Sequence, residues 1–244
     1  MERGSLVSAT NSLRMLSLFD DAHPELGISE LSRTLGLAKS TVHRMADTFV
    51  HEAVLERNER TGKYCLGSVL LELGLIVQEC DPVVLHARGP VEELHCRTGA
   101  QASFHVRLDE TALCVCTSAG PGFAVGQRAP LDDSITGLTL LAFSDDESMG
   151  SGHDETDISV SAYVPQGCHV RDELDHITER GYGTGVNDQG QVVVVCPVFD
   201  ESGRTVGVVA VTDVSVDGEV NTDLVTQAGR AAQQLSMRRA PRLV

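Results

Sequence analysis

Residues 28–50 have the sequence ISELSRTLGLAKSTVHRMADTFV, which decides the fold of the amino-terminal part of the chain. Leu31 and Leu35 lie one helical turn apart and precede Gly36, a residue type that commonly ends helices. A second helix is predicted directly after it from apolar residues at helical spacing, namely Val42, Met45, Ala46 and Phe49. Two short helices joined by a glycine turn are typical of a helix-turn-helix, whose second helix enters the major groove of DNA.

Polar residues occupy the opposite side of the second helix. The predicted contacts to bases and phosphates there are Lys39, Ser40, Thr41, His43 and Arg44. Ser29 is predicted to be the N-cap of the first helix and is included among the DNA-binding residues. The alternative is an ordinary solvated helix face, which the two-helix spacing and the hairpin that follows disfavour.

Residues 54–66 predict that hairpin, with two short strands joined by a glycine-containing turn at 58–62. It would form the wing of a winged helix-turn-helix, and Arg57, Arg60 and Lys63 would contact the DNA backbone or the minor groove. A plain charged hairpin is the alternative. A preceding helix is predicted from the spacing of Ser12, Met15, Leu16 and Phe19.

The next helix, within residues 67–81, is too apolar to stand alone in water. Its apolar side contains Val69, Leu70, Leu73, Ile76 and Val77, and it ends before Asp81-Pro82. We expect it to pack against its copy in a second subunit or against the domain that follows. The predicted organisation is therefore a DNA-binding domain at 1–66, a linker helix at 67–81 and a second domain at 82–244.

The second domain alternates helices and strands, which predicts an α+β sensor fold. Helices are expected at 83–97, 134–143, 171–180 and 222–237, and strands at 101–108, 111–118, 123–125, 158–160, 191–199 and 205–213. Residues 144–157 are acidic and predict a surface loop, and the glycine-rich stretch 181–185 predicts a turn. That stretch follows a helix, whereas a dinucleotide-binding loop precedes one.

The charge of the chain is unevenly distributed. The net charge is −16, but residues 1–67 contain eight Lys/Arg and nine Asp/Glu, so the remaining residues account for −15. Because phosphate attraction dominates DNA affinity, this split favours DNA binding by the amino-terminal part, with the acidic domain held away from the duplex.

Several classes of function are disfavoured by the sequence. No apolar stretch long enough for a membrane span or signal peptide is present, so we expect a cytoplasmic protein with no membrane partner. No catalytic motif is found, and we predict no enzyme activity and no cofactor. The seven cysteines include the close pairs Cys114/Cys116, His95/Cys96 and Cys168/His169, but no complete metal-ligand set. A metal-responsive or redox-responsive regulator, with Cys196 as one candidate thiol, is kept as the alternative function.

The segments quoted above, ERNERTGKYCLG at 56–67 and VLLELG at 69–74 resemble the IclR family of bacterial transcription regulators. PLDDSITGLTLLA at 130–142, ERGYG at 179–183 and CPVFDESGRTVGVVAV at 196–211 follow in the family's order. The resemblance implies a winged helix-turn-helix, a linker helix and a GAF-like effector domain, assembled as homodimers or dimers of dimers. It also implies double-stranded operator DNA and a small-molecule effector as partners, and we favour a repressor. Ala38 stands where the family usually has proline, a substitution that leaves DNA binding intact because proline there mainly presets φ.

The resemblance also implies where the effector binds. In relatives that bind a carboxylate, backbone amides at the start of a helix hold it, and Ile135 and Thr136 would supply these amides here. Side chains from the last two strands complete such sites, and the corresponding residues here are Val193, Ala210 and Thr212. Only Thr212 is polar, so the carboxylate-binding set is incomplete and we expect a less polar effector in a largely apolar cavity.

Overall fold

The computed structural model describes residues 6–20, 22–120, 122–144, 170–187, 190–213 and 221–237. The chain separates into two compact units, Met1–Glu79 and Cys80–Val244, and each is described by itself. The strand predicted at 158–160 lies outside the described residues, as does all of the loop predicted at 144–157 except Ser144.

The first unit is built from helices and one small hairpin. Its elements are α1 (Val7–Leu16), α2 (Ile28–Leu35), α3 (Lys39–His51), β1 (Leu55–Arg57), β2 (Tyr64–Leu66) and α4 (Ser68–Cys80). Leu31, Val42, Ala46 and Leu55 are fully buried, so the apolar sides predicted for α2 and α3 do form one core. The two-helix motif and the wing are confirmed.

Two local predictions in this unit are wrong. Ser29 is the second residue of α2 and is exposed, and Gly27 is the N-cap. Glu30 takes the capping role because its Oε2 accepts from the Gly27 backbone N–H at 2.7 Å. Helix α1 ends at Leu16, so Phe19 lies beyond the predicted helix. The Phe19 side chain still packs on the core.

Helix α4 contains no buried residue. Leu73, Ile76 and Val77 are 53%, 56% and 56% exposed, and Leu71 and Leu75 on the other side are equally open. Packing within the unit therefore does not account for the apolar sequence of this helix.

The second unit is a six-stranded antiparallel sheet with helices on both faces. Its elements are α5 (Pro82–Thr98), β3 (Gln101–Leu108), β4 (Thr111–Thr117), β5 (Arg128–Pro130), α6 (Ile135–Ala142), α7 (Val170–Arg180), β6 (Gly183–Val186), β7 (Val192–Phe199), β8 (Thr205–Asp213) and α8 (Thr222–Met237). The strand order is β5-β4-β3-β8-β7-β6. Helices α5 and α8 cover one face, and α6 and α7 lie on the other, which we call the α6 face.

Two strand predictions in this unit differ from the structure. No strand forms at 123–125, because the Phe123 backbone bonds the side chain of Gln101, and the short edge strand is Arg128–Pro130 instead. Gly183–Val186 forms β6 rather than a turn. A Cβ on Gly183 would lie 2.2 Å from Thr139 Oγ1, so glycine is required where this strand passes beneath α6.

Candidate nucleic-acid interface and ligand site

The amino-terminal half of α3 presents a continuous polar surface. The predicted contact residues Lys39, Ser40, Thr41, His43 and Arg44 are all exposed, whereas Val42 and Ala46 behind them are fully buried. The αL conformation of Gly36, with φ of 67°, ends α2 and allows the chain to turn directly into α3. The buried side thus fixes the helix in the unit and leaves the polar side free to contact a ligand.

His43 does not project freely from this surface. Its Nδ1 lies 2.8 Å from Asp47 Oδ2, one helical turn further along α3. When Nδ1 bears a proton, this contact orients the imidazole and leaves Nε2 as the ring nitrogen available to a partner molecule. Asp47 is therefore a positioning residue to which sequence analysis assigned no role.

The three basic residues predicted for the wing have different environments. The guanidinium of Arg57 lies over the Tyr64 ring at 5.9 Å from its centre. Arg60 is exposed in the turn at the tip of the hairpin. Lys63 is half-buried, and its Nζ lies 3.3 Å from Glu30 Oε2, so part of its charge is already neutralised within the unit.

A contact that sequence analysis missed ties the wing to the segment before α2. Leu26 and Tyr64 exchange two backbone hydrogen bonds of 2.9 Å, which form an isolated antiparallel β-bridge beside the hairpin. Glu25 accepts from Asn58 Nδ2 at 2.6 Å and from Thr61 Oγ1 at 3.0 Å. These hydrogen bonds from Asn58 and then Thr61 hold the pKa of Glu25 below its usual value. No local sequence pattern indicates a pairing of residues more than 30 positions apart.

The amino terminus of α6 is closely packed and capped. Ser134 Oγ accepts from the Gly137 N–H at 3.0 Å and donates to the Pro130 carbonyl at 2.7 Å. A Cβ on Gly137 would lie 2.4 Å from the Pro130 oxygen, so glycine permits this approach. The backbone amides of Ile135 and Thr136 precede the first intrahelical bonds, and both residues are buried.

The three strand residues of the predicted ligand site lie together on the α6 face. Val193 is paired with Thr212 across β7 and β8, and Ala210 lies two residues before Thr212 on the same side of the sheet. Val193 and Ala210 share one buried cluster with Ile135 of α6. The structure thus brings together the α6 amino terminus and the predicted strand positions.

Polar groups of β3 also face this side, and sequence analysis did not identify them. Ser103 Oγ lies 2.8 Å from His105 Nε2, and both residues are 1% exposed. Burial lowers the pKa of His105 to about 3, so its imidazole is neutral at physiological pH. Phe123 packs edge-on against His105 at 4.5 Å between ring centres. The alternation within Gln101, Ser103 and His105 is the signal that could have identified them.

The buried cysteines of the second unit have environments that disfavour a reactive site. Burial raises the pKa of Cys114 and of Cys196 to about 12, which disfavours the thiolate needed for redox chemistry. Among the described residues, no three His, Cys, Asp or Glu side chains come close enough together to bind a metal ion. Cys168 lies outside them. No helix in the described part of the chain combines the length and apolarity needed to cross a bilayer.

Comparisons with known proteins agree on one family. The IclR helix-turn-helix domain model matches residues 8–59, and the model of the bacterial transcriptional regulator IclR C-terminal domain matches residues 78–237. The chain is 25% identical to the HTH-type transcriptional regulator XynR of Escherichia coli, over 84% of this chain and 85% of that protein. It is 24% identical to the glycerol operon regulatory protein of Streptomyces coelicolor, with 95% and 96% of the two chains covered.

Solved structures of IclR regulators share the fold. The regulator from Alicyclobacillus acidocaldarius superposes with a TM-score of 0.78 at 21% identity, covering 97% of this chain and 98% of that one. An IclR homologue from Microbacterium hydrocarbonoxydans, solved with 4-hydroxybenzoate, gives 0.72 at 20% identity over 94% and 97% of the chains. With both family models matched in order and the two-helix motif present, the chain belongs to the IclR family of DNA-binding transcriptional regulators.

Proposed function

We propose that this regulator binds operator DNA as a homodimer, or as a dimer of dimers, with the two α3 helices in major grooves of a near-palindromic site. The observation that supports this most strongly is the exposed polar surface of α3 on a helix whose opposite side is fully buried. In this proposal residues 1–66 bind DNA, 67–81 link the domains, and 82–244 form the GAF-like effector-binding and oligomerisation domain. Half-sites would be spaced by about one helical turn, roughly 10 base pairs, or a multiple of it.

The contacts in this proposal divide by chemistry. Lys39 and Arg44 would bind phosphate or guanine, because both are exposed cations at the start of α3. Ser40, Thr41 and His43 would reach base edges beside them. The remaining predicted contacts would touch the DNA backbone or the minor groove, and these are Ser29, Arg57, Arg60 and Lys63. Lys63 would have to share its charge with Glu30 in that complex, since the two are paired at 3.3 Å.

The dimer in this proposal is formed by α4. Its apolar stripe, defined as Val69, Leu70, Leu73, Ile76 and Val77, lies on one side of the helix. Val69 and Leu70 are partly buried, whereas Leu73, Ile76 and Val77 are more than half exposed. Packing a contiguous stripe of exposed apolar side chains against a second copy lowers the free energy, because apolar surface is removed from water. Pairing two chains would also supply the two recognition helices that a palindromic operator needs.

A small molecule bound between α6 and the last two strands would modulate operator affinity. The proposed site consists of the Ile135 and Thr136 amides with Val193, Ala210 and Thr212. The bound 4-hydroxybenzoate of a structural neighbour supports effector binding by this fold. We further propose repression. A transcriptional repressor of Escherichia coli, YiaJ, is 26% identical over 82% of this chain and supports that direction.

The proposal is tested by selecting bound sequences from a random DNA pool with the purified full chain. We expect enrichment of an inverted repeat with the spacing given above, and a fall in affinity as salt rises. A promoter containing that repeat should be derepressed when the gene is deleted. Recovery of no enriched sequence, or of a single unrepeated half-site, would contradict operator binding by a dimer.

A further inference from the structure

We propose that the ligand of the effector site is an uncharged molecule, and that a hydroxyl or carbonyl oxygen of this molecule forms a hydrogen bond with the Thr212 hydroxyl. This inference rests on the proposed function, because it names the chemical class of ligand for the site between α6 and strands β7 and β8. Thr212 would then be the residue that determines the specificity for this ligand.

The hydroxyl of Thr212 is buried without a hydrogen-bond partner. The residue is 1% exposed, and Oγ1 is an unpartnered buried polar side-chain atom of the described structure. A buried polar group without a partner destabilises the fold, so natural proteins rarely retain one without a function. A ligand oxygen placed beside it would remove that cost.

The described neighbours of Thr212 leave its hydroxyl unbonded. Val193 across the sheet and Ala210 along the strand have apolar side chains. Gln101, opposite Thr212 on β3, uses Nε2 for the carbonyls of Gly120 and Phe123 at 3.0 and 2.9 Å. Its Oε1 accepts from the Phe123 N–H at 2.7 Å. Both amide hydrogens of Gln101 are therefore used, and no described group of the protein forms a hydrogen bond with Thr212 Oγ1.

Among the described residues of the second unit, no buried lysine or arginine is available to balance an anionic ligand. No lysine follows Lys63 in the sequence, and none of the described arginines after it is buried. His105, buried on the same face, is neutral at physiological pH.

Among the described groups of this site, the α6 amides and the Thr212 hydroxyl could donate hydrogen bonds to an anion, but neither has a full positive charge. A carboxylate desolvated in this site would gain the partial positive charge of one helix terminus and no full positive charge. A neutral amide or alcohol loses far less solvation free energy and can still bond the Thr212 hydroxyl. We therefore expect neutral members of a matched series to bind at least on the order of tenfold more tightly than the carboxylate.

The first test measures thermal unfolding of the full chain without ligand. Thr212→Val removes the unpartnered hydroxyl with little change in shape, and we expect the unfolding midpoint to rise by about 2–4 °C. Thr139→Val is the matched control, because Thr139 is also fully buried but donates to the Ile135 carbonyl at 2.7 Å. Its midpoint should fall or stay unchanged. A Thr212→Val midpoint that falls as well would show that the hydroxyl is satisfied, and would overturn the proposal.

The second test measures ligand binding by the rise in unfolding midpoint. The probes are carboxylates beside their amides and alcohols: benzoate, benzamide and benzyl alcohol; 4-hydroxybenzoate, 4-hydroxybenzamide and 4-hydroxybenzyl alcohol; glycerate and glycerol. Neutral members should stabilise the wild type and Thr212→Ser but not Thr212→Val. Stabilisation by carboxylates instead, by no neutral member, or equally in Thr212→Val would each overturn the proposal. Operator binding by the same preparations, measured without ligand, reports separately on the proposed function.

Discussion

Charge introduced on the apolar stripe of α4 should break the proposed dimer. In Leu73→Glu/Ile76→Glu, two side chains that are 53% and 56% exposed in the single chain are replaced. Full burial of such side chains contributes about 1.5–3 kcal/mol each, so burial of the exposed half contributes about 1 kcal/mol. The proposed dimer contains four such side chains, so their loss should weaken association by about 4 kcal/mol. Desolvation of the new carboxylates adds to that loss.

A loss of this size corresponds to a rise in the dimer dissociation constant of roughly a thousandfold. Sedimentation equilibrium over a range of concentrations measures it directly. Leu71→Glu/Leu75→Glu is the matched control, because these residues are 67% and 52% exposed on the opposite side of the same helix. Equal dissociation in both double variants, or a stripe variant that remains dimeric, would refute the assignment of the stripe as the dimer contact.

Three further predictions concern the junctions and thiols of the chain. Gly67→Ala should destabilise the first unit by about 1–3 kcal/mol in denaturant unfolding, because its Cβ would lie 2.2 Å from the Ala53 oxygen. Glu25 has a pKa lowered in the fold, so the wing contact contributes fully above the pKa of the unfolded chain and is lost as pH falls through the folded value. Hydrogen exchange in the wing should therefore accelerate in acid, and Glu25→Gln should flatten that dependence. In the native protein a thiol reagent should modify the exposed cysteines of α4 and α5 promptly, while Cys114 and Cys196 react only on unfolding. Prompt modification of either buried thiol would revive the redox alternative.

Local periodicity was sufficient to predict the elements that position the DNA-binding surface. Residues one helical turn apart lie on the same face of a helix. The pairs Leu31/Leu35 on α2 and Val42/Ala46 on α3 have this spacing, and all four residues are buried. The order of helices and most strands in the second unit followed from the same reasoning. These elements have residues whose own spacing distinguishes a buried side from an exposed one.

Contacts between distant segments could not be predicted in the same way. Glu25 bonds Asn58 across 33 positions, and the Gln101 side chain replaces the expected strand at Phe123. Gly183–Val186 contains two glycines and resembles a turn in sequence, yet it pairs with β7. Gly183 is required there because a Cβ would clash with Thr139. These features depend on the assembled fold, in which a side chain meets a backbone group that sequence spacing does not show.

The most direct test of the account is the salt dependence of operator binding by Lys39→Ala/Arg44→Ala, measured by fluorescence anisotropy beside the wild type. Each phosphate contact contributes a slope of about 0.9 in log affinity against log salt, so a dimer that loses four contacts should have a slope shallower by about 3–4 and much weaker binding. Arg171→Ala/Arg230→Ala removes the same charge from exposed positions of the second unit and should bind as the wild type does. Unchanged affinity and slope in the α3 variant, or an equal loss in the control, would contradict recognition of DNA by α3.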